Sequence, residues 1–177
     1  MKNLVVVIAF LMASTVSFAQ GAFDKFEDKD GVASVIVNKK MFEMMSKVKV
    51  DAKDKEMQQY MNLLKKLDNL KVFTTSNAKL GADMKATVNS YLKLNPLEEL
   101  MRVNGDGKNV KIYVKSGANE NIVKELLMYI EGANMKDANT VVLSLTGNFS
   151  LDEISMLTEK MSLPGGDDLK KASKNKL

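Results

Sequence analysis

Residues 124–161 constrain the fold of this chain most, because they combine two strand patterns with a helix-start signal. In each of the segments K-E-L-L-M-Y-I-E and T-V-V-L-S-L-T, every second side chain belongs to one set and the side chains between them belong to another. Such a period of two places successive side chains on opposite faces of a pleated sheet. Gly132 and the polar run 134–139 lie between the two segments. The pattern therefore predicts an antiparallel hairpin with a long loop.

The helix-start signal follows the second strand directly. Ser150 is a favourable N-cap residue, and Glu153 stands three positions later, which is the spacing of a capping box. Phe149 before the cap and Ile154 after it have the spacing of a hydrophobic staple. These signals together predict that a helix begins just after Ser150.

Hydrophobic periodicity predicts the other elements of the chain. Strands are expected at residues 32–38, 70–75, 99–103 and 110–115, and helical segments at 41–48, 54–67 and 78–93. The order β-α-β-α-β-β-β-β-α predicts an α+β fold with a mixed, mostly antiparallel sheet and helices packed on one face. We expect one domain over residues 20–163 and a polar, disordered tail over residues 164–177.

The N-terminus has the three regions of an export signal. Lys2 supplies a positive start, residues 4–13 are apolar, and Ser17-Phe18-Ala19 offers small residues for cleavage. The apolar run is too short for a hydrocarbon core, which requires about twenty residues. Residues 1–19 are therefore predicted to be a signal peptide, with no transmembrane segment remaining after its removal.

The absence of cysteine narrows the destination of the exported protein. Attachment of a lipid anchor to a bacterial precursor requires a cysteine at the cleavage site, so the sequence predicts a soluble protein rather than a lipid-anchored one. We expect a periplasmic or extracellular location. A formal net charge of +4 is too small to indicate binding to nucleic acid.

The composition disfavours most catalytic and metal chemistry. The chain has no histidine and no cysteine, so the commonest general base and thiol nucleophiles are missing. The methionines occur at helical core spacing, and Asn104-Gly-Asp-Gly-Lys108 is typical of a hairpin rather than a calcium loop. We therefore predict no catalytic residue, cofactor or metal, although chemistry based on serine, lysine or carboxylates stays open.

One face of the predicted four-strand meander is a candidate interaction surface. The more apolar face includes Val110, Ile112 and Met128 and is expected to lie beneath the helices. The opposite face carries tyrosine, arginine and aliphatic residues, of which the first two are enriched where proteins bind each other. The residues proposed for this surface are Arg102, Lys111, Tyr113, Leu127, Tyr129 and Val142.

Several segments together resemble a known family. They are V-A-S-V-I-V, L-K-V-F-T-T, R-V-N-G-D-G-K-N-V-K-I-Y-V-K, K-E-L-L-M-Y-I-E-G and T-V-V-L-S-L-T-G-N-F-S-L-D-E-I-S. The chain resembles the small exported Bacteroidetes proteins catalogued as domain of unknown function 4252, most strongly over residues 102–157. The resemblance implies a cell-envelope protein with no established activity and offers no functional residues. Some relatives resemble lipoproteins, a property that this cysteine-free chain does not share.

The sequence favours an exported, non-enzymatic binding or protein-interaction module of the envelope, with another envelope protein as its partner. Two alternatives remain: a periplasmic carrier of an apolar ligand, and a hydrolase that needs neither histidine nor cysteine. A polar cleft with convergent ionisable groups would favour the hydrolase. A large apolar cavity would favour the carrier, and a half-apolar sheet face would favour the interaction module.

Overall fold

The computed structural model describes residues 21–51, 53–105, 107–119, 121–132 and 140–174. These ranges contain six strands and five α-helices, preceded by a short 3₁₀ helix at Asp24–Phe26. In chain order they are β1 (Ala33–Asn38), α1 (Lys39–Met45), α2 (Lys55–Leu64), β2 (Leu67–Thr75), α3 (Ala78–Leu94), β3 (Glu98–Gly105), β4 (Lys108–Ser116), β5 (Val123–Gly132), β6 (Thr140–Phe149), α4 (Leu151–Lys160) and α5 (Gly166–Lys174). The predicted α+β class is confirmed, whereas the predicted signal peptide and the loop at 134–139 lie outside the described residues.

The strands form one sheet in the order β1-β2-β6-β5-β4-β3. Every neighbouring pair is antiparallel, so the expectation of a mixed sheet is corrected. The reason is the strand order, in which β6, β5 and β4 lie between β2 and β3. The crossover through α3 thus joins strands that are not neighbours, and no parallel pair forms among the described strands.

The larger core lies on the sheet face that we call the first face. Val110, Ile112 and Met128 point into it, as predicted, and are buried with apolar residues of α1, α2, α4 and α5. Leu100 packs against the same core, although strict alternation would place it on the opposite side, together with Arg102 two residues later. A register shift between Glu99 and Met101 explains the difference, because the extra residue of a β-bulge changes the side-chain alternation.

A second core lies on the opposite face, which we call the second face. Met84, Val88 and Tyr91 of α3 pack there together with Phe73 of β2 and Leu127 of β5. Phe23 and Phe26 of the N-terminal segment join the same cluster. The prediction that all helices pack on one face is therefore wrong. Both faces of the central strands are apolar, and α3 has an apolar side of its own that buries the second face.

The predicted start of α4 is confirmed in detail. The backbone N–H of Glu153 donates to Ser150 Oγ at 3.4 Å, and the backbone N–H of Ser150 donates to Glu153 Oε2 at 2.9 Å. Phe149 and Ile154, the predicted staple, are both buried. This boundary was predictable because every group that forms it lies within six consecutive residues.

The segment after α4 is more ordered than predicted. Residues 166–174 form the helix α5, which begins after Gly165 at a positive φ of 81°. Leu169 is buried in the core of the first face, and Lys108 Nζ lies 2.5 Å from Asp168 Oδ2. The expected disordered tail is therefore corrected over the described part of this segment. A single apolar anchor in a polar helix gives too weak a periodic signal to predict such docking.

Candidate functional site

A polar cavity of about 330 Å³ opens on the second face, beside α3 and the N-terminal segment. Its floor comes from the strands β2, β4, β5 and β6, and aromatic side chains of the N-terminal segment and α3 form part of its wall. The lining residues are Phe23, Asp68, Asn69, Lys71, Tyr91, Lys115, Lys124, Glu125, Ser144, Thr146, Gly147 and Asn148. Most of these side chains are polar or charged, in contrast to the apolar cluster beneath the middle of α3.

Cross-strand pairing places four of these side chains in one row. Asn69 is paired with Thr146, Thr146 with Glu125, and Glu125 with Lys115, across four adjacent strands. Side chains of directly paired residues lie on the same face, with Cβ atoms about 4.5–5.5 Å apart. The sheet therefore aligns an amide, a hydroxyl, a carboxylate and an ammonium group along the cavity floor.

Register irregularities in several strands coincide with this cavity. The pairing of β2 with β6 shifts at Asp68, and the pairing of β5 with β6 shifts between Glu125 and Val123. The β4–β5 pairing shifts at the same end and leaves Lys124 without a register partner there. Bulges are over-represented beside functional sites, because they redirect side chains and end regular pairing. Their convergence here distinguishes this end of the sheet from the rest.

Gly147 makes the irregular end of the sheet possible. A Cβ atom at this position would collide with the carbonyl oxygen of Lys66 and would lie 2.9 Å from the Cα of Leu67. The backbone N–H of Asn148 donates to the same Lys66 carbonyl at 2.9 Å. A glycine is therefore needed where the two chain segments cross so closely.

Tyr91 holds the only carboxylate in the row. Its hydroxyl donates a hydrogen bond to Glu125 Oε1, and both residues are buried, with 5% and 8% of their surfaces exposed. Burial, followed by the hydrogen bond to Glu125, raises the pKa of Tyr91 well above its ordinary value. Tyr91 therefore stays protonated and acts as a hydrogen-bond donor that fixes the carboxylate.

Lys71 connects the cavity floor to the N-terminal segment. Its ammonium group pairs with the carboxylates of Asp24 and Glu27, the latter at 2.7 Å. Burial alone would lower the pKa of Lys71, but the hydrogen bonds to these two carboxylates outweigh it and raise the pKa. Lys71 is therefore a permanently charged anchor for the segment that carries Phe23.

Two oxygen atoms on the floor have no partner among the described residues. They are Asn69 Oδ1 and Thr146 Oγ1, both completely buried and both on residues that line the cavity. A buried polar group without a hydrogen bond costs about 1–3 kcal/mol, so such atoms in a native structure require an explanation. Both atoms lie beneath the cavity surface, so the two residues line the cavity through their other atoms.

The interaction surface predicted from the sequence is divided by α3. Leu127 and Val142 are completely buried and Tyr129 is 3% exposed, so the prediction that these three lie on an open face is wrong. Arg102 remains exposed and forms a two-point ion pair with Glu99, with its Nη2 at 2.6 Å from Oε2. Lys111 and Tyr113 are half-buried. An interaction role for these last three residues stays a prediction.

Sequence reasoning missed most of the cavity. The strand alternation that places Tyr113 and Val142 on the second face also places Lys115, Ser144 and Thr146 there, but it does not connect Asn69 and Lys71 with that face. Their polar side chains alternate with buried Leu70 and Val72, which was the available signal.

The described residues contain no cluster of three or more acidic side chains that could hold a metal ion. Within the same ranges, no helix has both the length and the apolar character required to cross a bilayer.

Fold and cavity define the class of protein: an α+β domain with a six-stranded antiparallel sheet, helices on both faces and a polar cavity on the second face. The chain belongs to the family described as Domain of unknown function (DUF4252), whose model matches residues 26–157. The matched region contains every cavity-lining residue except Phe23, and it ends before α5. No curated protein and no solved structure matches the chain.

Proposed function

We propose that the protein is an exported, non-enzymatic binding module of the cell envelope, and that the cavity on the second face is its binding site. The observation that carries this proposal is the row of four polar side chains that strand pairing aligns along the cavity floor, namely Asn69, Thr146, Glu125 and Lys115. None of the six residues proposed from the sequence for an interaction surface lines this cavity, so the cavity is a different site on the same sheet face.

The state of the ionisable groups favours binding over catalysis. Lys71 is paired with Ser144 across the strands, the one juxtaposition on the floor that suggests a serine–lysine nucleophile. A lysine that acts as a base must lose its proton near the working pH. Lys71 instead has a raised pKa because of Asp24 and Glu27. The raised pKa of Tyr91 likewise makes it a poor base.

The polar floor also argues against a carrier of apolar ligands. An apolar molecule would cover the polar row on the floor without supplying hydrogen bonds, which leaves the desolvation of those groups uncompensated. A molecule with its own polar atoms can replace the water that it displaces. A small polar ligand is therefore the kind of occupant that this cavity supports best.

Binding can be tested with a variant that fills the cavity. Ser144→Leu places an aliphatic side chain on the floor, while Ser90→Leu makes the same change at an exposed site on α3. A mixture of small polar metabolites should raise the Tm of the wild type and of Ser90→Leu but not that of Ser144→Leu, because a ligand of the native state stabilises it. Equal shifts in all three proteins, or none in the wild type, would contradict a binding site here.

Export is a separate part of the proposal, supported by the sequence pattern at residues 1–19. N-terminal sequencing of protein recovered from outside the cytoplasm should find Gln20 as the first residue. Recovery of that protein with an intact Met1 would contradict removal of a signal peptide.

A further inference from the structure

We propose that the protein forms a two-fold symmetric dimer in which β1 of one copy pairs with β1 of a second copy. The strand β1 is at one end of the sheet order, so its outer edge has no partner strand among the described residues. The backbone N–H and C=O groups along such an edge can pair with a strand of another chain. The residues that carry this proposal do not line the cavity on the second face, so the dimer interface is a separate site.

The two edges of the sheet differ in their protection against such pairing. The strand β3, at the opposite edge, contains Glu98, Glu99 and Arg102, and its pairing with β4 shifts just after Glu99. Charged side chains and bulges are common means by which edge strands avoid association. In contrast, β1 reads A-S-V-I-V-N, with no charge and no proline, and pairs with β2 without a register shift. The unprotected edge is therefore that of β1.

Exposed aliphatic side chains on both sides of β1 reinforce this difference. Val35 is 47% exposed and Ile36 is 43% exposed, whereas Val37 in the same strand is buried in the first core. Successive side chains of a strand point to opposite faces, so Val35 lies on the first face and Ile36 on the second. A strand that pairs along this edge covers both side chains and removes their apolar surface from water.

The helix α1 adds exposed apolar side chains beside the same edge. It contacts β1, β2 and α2, and its Phe42 is buried in the first core. Met41 and Met44, three residues apart on one side of α1, are exposed, as is Val48 just after the helix. These three side chains therefore lie where neither the sheet nor α2 covers them.

The geometry of a sheet that continues across two copies brings these side chains together. Neighbouring strands are about 4.8 Å apart, so two helices that each lie over β1 and β2 would be about 10 Å apart across the joined strands. This separation is close to the interaxial distance of packed helices, which is about 8–10 Å. The flexible side chains of Met41 and Met44 are suited to fill the space between the two copies of α1.

The charges that flank β1 favour a second copy as the partner. Residues 27–30, with three acidic side chains and one lysine, precede the strand, and Lys39 and Lys40 follow it. Antiparallel pairing of two copies places the acidic entry of each strand beside the basic exit of the other, whereas parallel pairing would place like charges together. Because the arrangement repeats at both ends, it has the self-complementarity that a two-fold interface requires.

These charges also select a register. Asp30 and Lys40 are both exposed, and neither has an ion-pair partner among the described residues. Each is five positions from Val35, so a register centred on Val35 brings Asp30 of one copy opposite Lys40 of the other. In this register Val35 is paired with its own copy, which places the first faces of both copies on the same side of the sheet.

Sedimentation velocity of the full chain and of the chain from Gln20, over a series of concentrations, tests the proposal. The chain from Gln20 should show a reversible monomer–dimer equilibrium. Amide exchange over residues 33–38 should slow as the dimer forms, because hydrogen-bonded amides exchange through opening of the structure. A monomer at every concentration would overturn the proposal. So would a dimer of the full chain alone, since residues 1–19 would then be required.

Apolar-to-lysine substitutions locate the interface. Val35→Lys places two ammonium groups opposite each other at the centre of the joined strands and should raise the dimer dissociation constant by about tenfold or more. Leu94→Lys makes the same kind of change at an exposed position of α3 and should dimerise like the wild type. If Val35→Lys folds poorly, Ile36→Lys provides the test from the second face. Unchanged dimerisation of a folded β1 variant would overturn the interface.

Charge reversal tests the orientation and the identity of the partner. Asp30→Lys and Lys40→Asp, each measured alone, should weaken the dimer by about 2–10-fold, because like charges then meet at both ends of the paired strands. An equimolar mixture of the two variants should recover the association, since opposite charges meet again in the mixed dimer. A role of either residue within its own chain cannot produce this recovery. A mixture that associates no better than its components would show that the proposed pairing is wrong.

Discussion

The hydroxyl of Tyr91 on α3 donates a hydrogen bond to Oε1 of Glu125 on β5, and both side chains are buried. This contact joins the helix that covers the second face to a strand that forms part of the cavity floor. It also keeps the only carboxylate of the polar row in one place. The cavity and the second core are therefore mechanically linked through one pair of residues.

Removal of this donor should destabilise the protein. Tyr91→Phe leaves the Glu125 carboxylate buried without its partner, and we expect a loss of about 1–3 kcal/mol in the free energy of unfolding, measured in urea. Glu125→Gln in the Tyr91→Phe background should recover part of this loss, because an uncharged amide is less costly to bury. If the two single changes add fully in the double variant, the residues do not interact as described.

The second core predicts different effects for two tyrosines of the same sheet face. Tyr129 is nearly inaccessible beneath α3, so Tyr129→Ser should lose about 3–5 kcal/mol, as large-to-small changes of aromatic core residues do. Tyr113 is only half-buried, and Tyr113→Ser should have a clearly smaller effect. Thermal or urea unfolding of both variants provides the comparison. Similar losses would mean that α3 does not protect Tyr129.

The capping box of α4 predicts a non-additive pair of substitutions. Ser150→Ala should lose about 1 kcal/mol, because a backbone N–H at the start of the helix loses its acceptor. Glu153→Ala added to it should have less than its single effect, since the two side chains act as one unit. Urea unfolding of the two single variants and the double variant measures the coupling. Full additivity would argue against a reciprocal box.

Glu153 should also contribute to the acid sensitivity of the fold. Burial alone would raise the pKa of Glu153, but hydrogen bonds from Lys66 and the Ser150 backbone outweigh it and lower the pKa below its ordinary value of 4.5. The stabilisation is therefore present above pH 4.5 and is lost as the pH falls through the folded-state pKa. Glu153→Gln should flatten the fall in stability below pH 4.5. The same change at exposed Glu159 should leave the profile unchanged.

The docking of α5 predicts that the C-terminal segment stabilises the first core. Leu169 is 2% exposed, and Leu169→Ala should lose about 2–5 kcal/mol through the cavity that it leaves. Asp167→Ala, at an exposed position of the same helix, should change the stability little. Calorimetric unfolding distinguishes the two variants. Equal behaviour would show that α5 does not depend on this anchor.

Local sequence signals predicted the parts of the fold whose determinants are close together in the chain. The capping box, the β3–β4 hairpin and the apolar side of α3 all belong to this group. The placement of α3 does not, because nothing within the helix specifies which sheet face it covers. The run L-L-M-Y-I in β5 indicates indirectly that something covers the second face, because strands that are buried on both faces are apolar almost throughout.

The cavity was harder to predict because it depends on pairing between distant segments. Asp68, Lys124 and Gly147 come from three different strands, and their irregular positions exist only once those strands are in register. Likewise, the lack of a partner for Asn69 Oδ1 becomes evident only from the neighbours that the fold assigns to it. Composition indicated that ordinary catalytic residues were missing, but it could not indicate where polar groups would converge.

The construction of the cavity also determines how a molecule can enter and leave it. Its floor consists of four hydrogen-bonded strands, which cannot separate without disrupting the sheet, whereas its wall includes Phe23 on a short segment anchored by Lys71. Such a segment can detach at a smaller free-energy cost than global unfolding. The residence time of a ligand should therefore follow the opening rate of residues 21–32 rather than the overall stability of the protein.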